Sequence, residues 1–156
     1  MSELERIVDQ LDRAITAKAW HGPALLEILA GVDAKQASAR PLASGHSIWE
    51  LTLHIRAWLD AGRRRLEGDR AQLTDDEDWP ALAERTDQTW NETTEAISKS
   101  YKSLRSAISG LDDKQLDQPI LEGMSSTYVT LHGVIQHTLY HAGQIAILKK
   151  ALGESN

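Results

Sequence analysis

Apolar residues recur at three- and four-residue steps in four segments of this chain, and no stretch alternates apolar and polar residues as a strand would. The segments run from Leu4 to Leu29, from Ser47 to Gly68, from Trp90 to Leu111 and from about Thr130 to Gly153. Amphipathic helices of this length can bury their apolar stripes only against one another. The sequence therefore predicts an all-α protein, a four-helix bundle.

Local signals place the ends of these helices. Gly22 and Pro23 lie inside the first segment and predict a kink or an interruption. Ser47 and Glu50 form the Ser-x-x-Glu pattern of a capping box at the start of the second helix. The third stripe is the most regular of the four and consists of Trp90, Thr94, Ile97, Tyr101, Leu104, Ile108 and Leu111.

The connection between the second and third predicted helices is long. Residues 68 to 86 include the acidic run Asp75 to Asp78, followed by Trp79 and Pro80. In extended form this segment can span the roughly 30 Å length of a 20-residue helix, so the two helices could lie parallel. The other two connections are nearly as long, and the sequence leaves the topology open.

Length and charge narrow the class of protein. A chain of 156 residues fits one domain, residues 1–156. The net charge of −6 disfavours nucleic acid and anionic membrane surfaces as partners. Cysteine is absent, which fits a reducing cytoplasm and removes thiolate ligands. The N-terminus has no secretory pattern, and the stretch from Pro23 to Val32 is too short to cross a bilayer.

Three histidines are candidate metal ligands. His137 and His141 are one turn apart on the fourth helix, a spacing that lets two imidazoles reach one ion. His54 follows Leu51 by three residues on the second helix and also points inward. The alternative for each is a hydrogen-bonded histidine on a helix flank. His46, just before the Ser47 cap, could border the mouth of such a site.

Three further residues are candidates for a pocket beside these histidines. Glu50 lies one turn before His54, although capping is its simpler role. Gln144, three residues after His141, could orient a water molecule or a substrate. Trp58, four residues after His54, is either a pocket wall or core packing that replaces the missing phenylalanines.

Two segments carry a family resemblance. The segment from His46 to Trp58 and the later segment from His137 to Ile145 resemble the DinB/YfiT-like superfamily of metal-dependent enzymes. The run from Trp20 to Pro23 and the asparagine after Trp90 are similar to one branch of it. The resemblance covers essentially the whole chain.

The resemblance implies a specific arrangement. It implies a four-helix bundle with a long crossover between helices two and three, commonly a homodimer, and a divalent metal ion held by three histidines. The matching ligands are His54, His137 and His141. Thr138 and Ala142 stand where the family often has an acidic residue and an arginine, so no acid–base role carries over to them.

Four functions are compatible with this pattern. Three neutral nitrogen ligands leave a coordination position open, which is typical of catalytic sites, and zinc, nickel, iron and manganese all accept imidazole. By resemblance the first hypothesis is a transferase that acts on a small-molecule substrate with a low-molecular-weight thiol. The second is a metal-dependent hydrolase. A non-catalytic ligand-binding protein stabilised by the metal and a metal-free helical interaction module are the remaining alternatives.

Overall fold

The computed structural model describes residues 1–82 and 84–153. These residues contain seven α-helices, one short 3-10 helix and no β-strand, which confirms the all-α prediction. The helices are α1 (Glu3–Ile15), α2 (Leu25–Leu29), α3 (Ala34–Ser38), α4 (Ile48–Leu66), α5 (Asp75–Asp78), α6 (Asp87–Ser109) and α7 (Thr127–Gly153), with the 3-10 helix at Asp113–Gln115.

The start of α4 follows the capping box expected from the sequence. The Ser47 hydroxyl accepts a hydrogen bond from the Glu50 amide at 3.2 Å, and the Glu50 carboxylate accepts one from the Ser47 amide at 2.7 Å. These two bonds satisfy amides that have no partner inside the helix. The cap therefore fixes where α4 begins, and the apolar stripe of α4 decides which side faces the core.

The first predicted helix is interrupted rather than kinked. It ends at Ile15, and the apolar residues after Pro23 form the separate helix α2. Lys18 has a φ of 64° and Gly22 a φ of 129°, so the backbone leaves the right-handed helical region before proline is reached. The interruption therefore extends well to the N-terminal side of Pro23.

The connection between α4 and α6 is not fully extended, because its acidic run forms α5. The Thr74 hydroxyl accepts from the Glu77 amide at 3.3 Å, and the Glu77 carboxylate accepts from the Thr74 amide at 2.9 Å. Acidic side chains in the first turn also suit the partial positive charge of a helix N-terminus. The sequence analysis missed this second capping box.

Contacts at both ends of α4 give the relative directions of the long helices. Near the start of α4, the Trp49 indole N–H donates to the Thr93 hydroxyl of α6 at 3.1 Å. Near its end, Gly62 lies against Leu104 of α6 and Val134 of α7. The end of α4 thus lies against the later part of α6 but the earlier part of α7. Helix α4 therefore runs parallel to α6 and antiparallel to α7.

The core lies between the long helices and α2. Its largest fully buried side chains are aliphatic and come from α1, α2, α4, α6 and α7: Ile7, Leu11, Ile15, Leu25, Ile48, Ile55, Leu59, Ile97, Leu104, Ile108, Leu131 and Ile145. Burying each one stabilises the fold by about 1.5 to 3 kcal/mol relative to exposure. In residues 1–82 and 84–153, no helix combines the length and the apolar character needed to span a membrane.

Candidate functional site

The three histidines singled out from the sequence lie together between α4 and α7. One ring nitrogen from each of His54, His137 and His141 lies within 4.8 Å of the other two. The Nε2 atoms of His54 and His137 are 2.9 Å apart. His54 and His141 are buried, and His137 is half-buried. We call these three residues the histidine cluster.

Hydrogen bonds orient two of the three rings. His54 Nδ1 lies 2.8 Å from the carbonyl oxygen of Asp78 and 3.0 Å from its carboxylate Oδ1, so this nitrogen carries the proton. His141 Nδ1–H donates to Gln144 Oε1 at 2.7 Å. In both rings Nε2 is therefore the nitrogen that carries the lone pair, and in His54 this atom faces Nε2 of His137. An orienting partner on the far nitrogen is typical of metal-binding histidines.

The third ring leaves a buried polar atom without a partner. His137 Nδ1 is buried and makes no hydrogen bond within the part of the chain that the structure describes. His137 Nε2 can donate one hydrogen bond, to His54. That bond does not account for the third ring nitrogen of the cluster, which belongs to His141. A donor set of three convergent imidazoles fits a divalent ion such as zinc, with nitrogen ligands at about 2.0 to 2.1 Å.

The electrostatics favour the neutral form of His137 and His141. Burial is the largest cause and, with the neighbouring His141 and His54 rings, lowers the pKa of His137 to about 4 against the opposing pull of Asp78. Burial also lowers the pKa of His141, although the hydrogen bond with Gln144 acts in the opposite direction. Neutral imidazole is the form that binds metal ions, so neither ring must lose a proton at pH 7 to do so.

The connection between α4 and α6 covers one side of the cluster. The Trp79 ring stacks on the His54 ring at a centroid distance of 3.8 Å and, on its other face, on the His46 ring at 3.8 Å. The Trp58 indole N–H donates to Asp78 Oδ1 at 2.7 Å, and its ring lies 5.5 Å from that of His137. Two adjacent residues of the connection, Asp78 and Trp79, thus hold His54 from its edge and its face.

Glu50, one of the three pocket candidates, lies outside this arrangement. Its carboxylate accepts from the Ser47 amide and pairs with Arg40. Desolvation alone would raise the pKa of Glu50, but the Ser47 hydrogen bonds and the Arg40 charge outweigh it and hold the pKa below its ordinary value. Capping is therefore the role that its contacts support. Gln144, in contrast, bonds to His141 itself, and Trp58 bonds to Asp78, the partner of His54.

The sequence analysis did not connect Asp78 with His54. The Thr-x-x-Glu pattern at Thr74 and Glu77 is a signal for a helix start just before Asp78. It predicts the short helix but says nothing about which residue that helix contacts. Only the path of the chain between α4 and α6 brings the two side chains together.

A comparison with models of known protein families gives a match over most of the chain. The family model described as the DinB superfamily matches residues 6–145. The chain belongs to the DinB superfamily. This assignment confirms the resemblance noted in the sequence. Thr138 stands where the DinB superfamily often has an acidic residue. In this chain its hydroxyl donates to the Val134 carbonyl at 2.9 Å.

A solved structure supports the fold of this DinB superfamily chain. It is entitled "Crystal structure of the conserved protein of locus from Enterococcus faecalis" and has 17% sequence identity. The similarity covers 97% of each chain with a TM-score of 0.72. At this identity the comparison shows a shared fold. A search of curated proteins finds no match.

Proposed function

We propose that this DinB superfamily protein is a metal-dependent enzyme in which His54, His137 and His141 hold a divalent ion. The observation that carries the proposal is the convergence of the three ring nitrogens within 4.8 Å. The contacts from Asp78 and Gln144, which turn two lone pairs inward, support it further. Zinc or nickel is the first choice of ion, with iron or manganese as alternatives.

Three neutral protein ligands support a catalytic rather than a structural role, because structural zinc sites use four protein ligands. A bound divalent ion supplies a Lewis acid that stabilises negative charge on a ligand oxygen or sulfur. Around it, Asp78 keeps the proton of His54 on Nδ1, and Gln144 does the same for His141. Trp58 and Trp79 shield the cluster from water on one side.

We further propose transfer of a low-molecular-weight thiol to a small electrophilic substrate. In such a reaction the sulfur forms a bond to the electrophilic carbon, the leaving group departs with its electron pair, and the thiol proton passes to solvent. The nearby carboxylates of Asp78 and Glu50 are occupied by His54, Trp58, Ser47 and Arg40. A thiol, with an ordinary pKa near 8.5, needs less help from a general base than water does.

The test combines metal content with turnover. Untagged wild-type protein loaded with zinc or nickel is expected to hold about one equivalent, and less than about a tenth of an equivalent contradicts the site. A panel of small thiols with an electrophilic acceptor then measures activity. His141→Ala should abolish turnover while the helical fold persists. Loss of stability in His141→Ala, with no turnover in either protein, would instead indicate a stabilising metal clip.

We also propose the finer features of architecture and assembly. The parallel direction of α4 and α6 supports a four-helix bundle of α1, α4, α6 and α7 within one domain, with its crossover between α4 and α6. A homodimer is proposed on family grounds. The lack of cysteine supports a cytoplasmic location, and the negative charge supports small molecules rather than nucleic acids or membranes as partners.

A further inference from the structure

A cavity of about 230 Å³ opens beside the histidine cluster. Four of the side chains that line it are aliphatic, and two are polar. The aliphatic ones are Leu42, Leu51, Ile147 and Leu148, and the polar ones are His46 and Gln144. None of the described lining side chains is a carboxylate, an ammonium or a guanidinium.

The position of this cavity relative to the cluster follows from the two helices that form it. Leu51 precedes His54 by three residues on α4, and Gln144 follows His141 by three residues on α7. Because α4 and α7 run in opposite directions, both steps lead toward the same end of the molecule. The cavity therefore lies one helical turn, about 5 Å, from the histidine cluster.

Gln144 connects the cavity with the cluster directly, and His46 connects it through Trp79. Gln144 lines the cavity while its Oε1 accepts the proton of His141 Nδ1 at 2.7 Å. His46 lines the cavity and stacks on Trp79, whose other face stacks on His54. A molecule that fills the cavity would thus contact Gln144, the side chain that orients His141.

The size and lining of the cavity define what it can hold. An apolar cavity of about 150 Å³ is large enough for a benzene ring. A volume of 230 Å³ therefore accepts a ring with a short substituent or an alkyl chain of about four to six carbons. The lining offers no carboxylate, ammonium or guanidinium to pair with a charged group, so the cavity favours an apolar one.

We propose that this cavity binds an apolar substituent of the substrate, an aromatic ring or a short alkyl chain, while the reacting atom of the same molecule reaches the histidine cluster. The Gln144 carboxamide lies between the two and can donate its N–H to a polar atom that links them. This inference rests on the proposed metal-dependent function, because it assigns the reacting atom to the cluster.

The experiment titrates cobalt(II)-loaded protein with 2-mercaptoethanol and with linear thiols from ethanethiol to pentanethiol. The sulfur-to-cobalt absorption band measures how much thiol is bound. Each added methylene that enters the cavity should tighten binding about three- to fourfold. The double variant Leu42→Gln, Ile147→Gln should remove the dependence of thiol affinity on chain length. It should leave the affinity for 2-mercaptoethanol unchanged. Leu42 and Ile147 are 58% and 65% exposed, so the double variant should fold. Val129→Gln, at another exposed apolar position on α7, is the matched control.

The outcomes separate the two proposals. Equal affinities along the thiol series, or a dependence that survives the double variant, overturn the cavity assignment and leave the proposed function standing. If cobalt does not bind or no thiol changes its absorption, the proposed function fails. Benzyl alcohol, titrated into ¹⁵N-labelled protein, then tests whether the cavity binds an apolar ring. Amide shifts at Gly45, Ile147 and Leu148 that the double variant abolishes support the cavity, and their absence overturns it.

Discussion

Asp78 directs two acceptors at one nitrogen of His54, its backbone carbonyl at 2.8 Å and its carboxylate at 3.0 Å. The carbonyl alone suffices to place the proton on Nδ1. The carboxylate adds negative charge, which makes the opposite nitrogen a stronger base and hence a stronger metal ligand. Its contact with the Trp58 indole fixes the direction of that charge.

Replacing Asp78 with asparagine keeps the carbonyl and the shape but removes the charge. We expect Asp78→Asn to weaken zinc binding about tenfold, as other changes to the partners of ligating histidines do. Competition with a chromophoric chelator measures the affinity. Asp76→Asn, an exposed position on the same short helix, is the control and should leave it unchanged. Equal affinities in the two variants would exclude a role for the Asp78 carboxylate.

The depressed pKa of His137 predicts a pH dependence of stability in the metal-free protein. Its pKa is about 4 in the folded state, against about 6.5 in an unfolded chain, so the unfolded chain takes up the proton first on acidification. The stabilising contribution is complete above pH 6.5 and is lost as the pH falls toward 4. Partial exposure of the ring reduces its size, and we expect a loss of about 1 kcal/mol between pH 7 and pH 5.

Chemical denaturation in the presence of a chelator measures this loss, and the matched variant is His137→Gln. The variant lacks the titrating ring, so its free energy of unfolding should change less over the same pH range. Parallel curves for the two proteins would show that other groups cause the pH dependence.

Residue spacing was enough to find the histidine cluster and to single out Gln144, but not the partner of His54. The one-turn spacing of His137 and His141 and the inward position of His54 depend only on helical geometry, which the sequence pattern determines. The contact between Asp78 and His54 depends on the path of the chain between two helices. No periodicity encodes that path, so this partner could be found only in the folded structure.

Among the helices, α4 and α5 use the same kind of cap for different purposes. Both begin with a hydroxyl residue and a glutamate three positions later. Helix α4 buries nine residues and belongs to the core, whereas none of the residues of α5 is buried. The cap of α4 therefore supports global stability, and the cap of α5 supports the local position of Asp78.

This contrast predicts different consequences for two equivalent substitutions. Ser47→Ala should lower the free energy of unfolding by about 1 kcal/mol, the usual value of an N-cap. Thr74→Ala should leave global stability within about 0.5 kcal/mol of wild type, because α5 can open without the core. Thr74→Ala should instead weaken zinc binding about threefold, because the contact between Asp78 and His54 is then broken in a fraction of the molecules.

Denaturant unfolding and chelator competition on both variants test the distinction. A loss of global stability in Thr74→Ala as large as in Ser47→Ala would show that α5 unfolds only with the whole molecule. Unchanged zinc affinity in Thr74→Ala would show that the cap does not control Asp78.

Helix boundaries were predictable where the apolar stripe and the cap agree. For α4 both signals coincide at Ser47, and the structure begins the helix there. For α7 the stripe alone placed the start near Thr130, whereas the helix begins at Thr127, with Thr127 and Leu131 already buried. Thr127 is held by a partner outside the helix, which the hydrophobic pattern of the helix does not reveal. Its hydroxyl and amide both bond to the Gln118 carbonyl, a contact outside the helix.

At the scale of the whole molecule, the histidine cluster joins two helices that are far apart in the sequence. His54 comes from α4 and the other two rings from α7, so an ion held by all three would link α4 to α7 only in the folded chain. The unfolded chain does not preform this site. Binding therefore stabilises the folded state by mass action, whether or not the protein turns over a substrate.

Metal removal should accordingly lower the melting temperature. Free zinc at 100 times the dissociation constant stabilises the fold by about 2.7 kcal/mol, which for a chain of this size raises the melting temperature by about 5 to 10 °C. His54→Ala should abolish the increase, and His21→Ala, which changes an exposed histidine outside the cluster, should keep it. Scanning calorimetry with and without a chelator measures the difference. An equal increase in both variants would mean that zinc binds elsewhere, because only His54 connects α4 to the pair on α7.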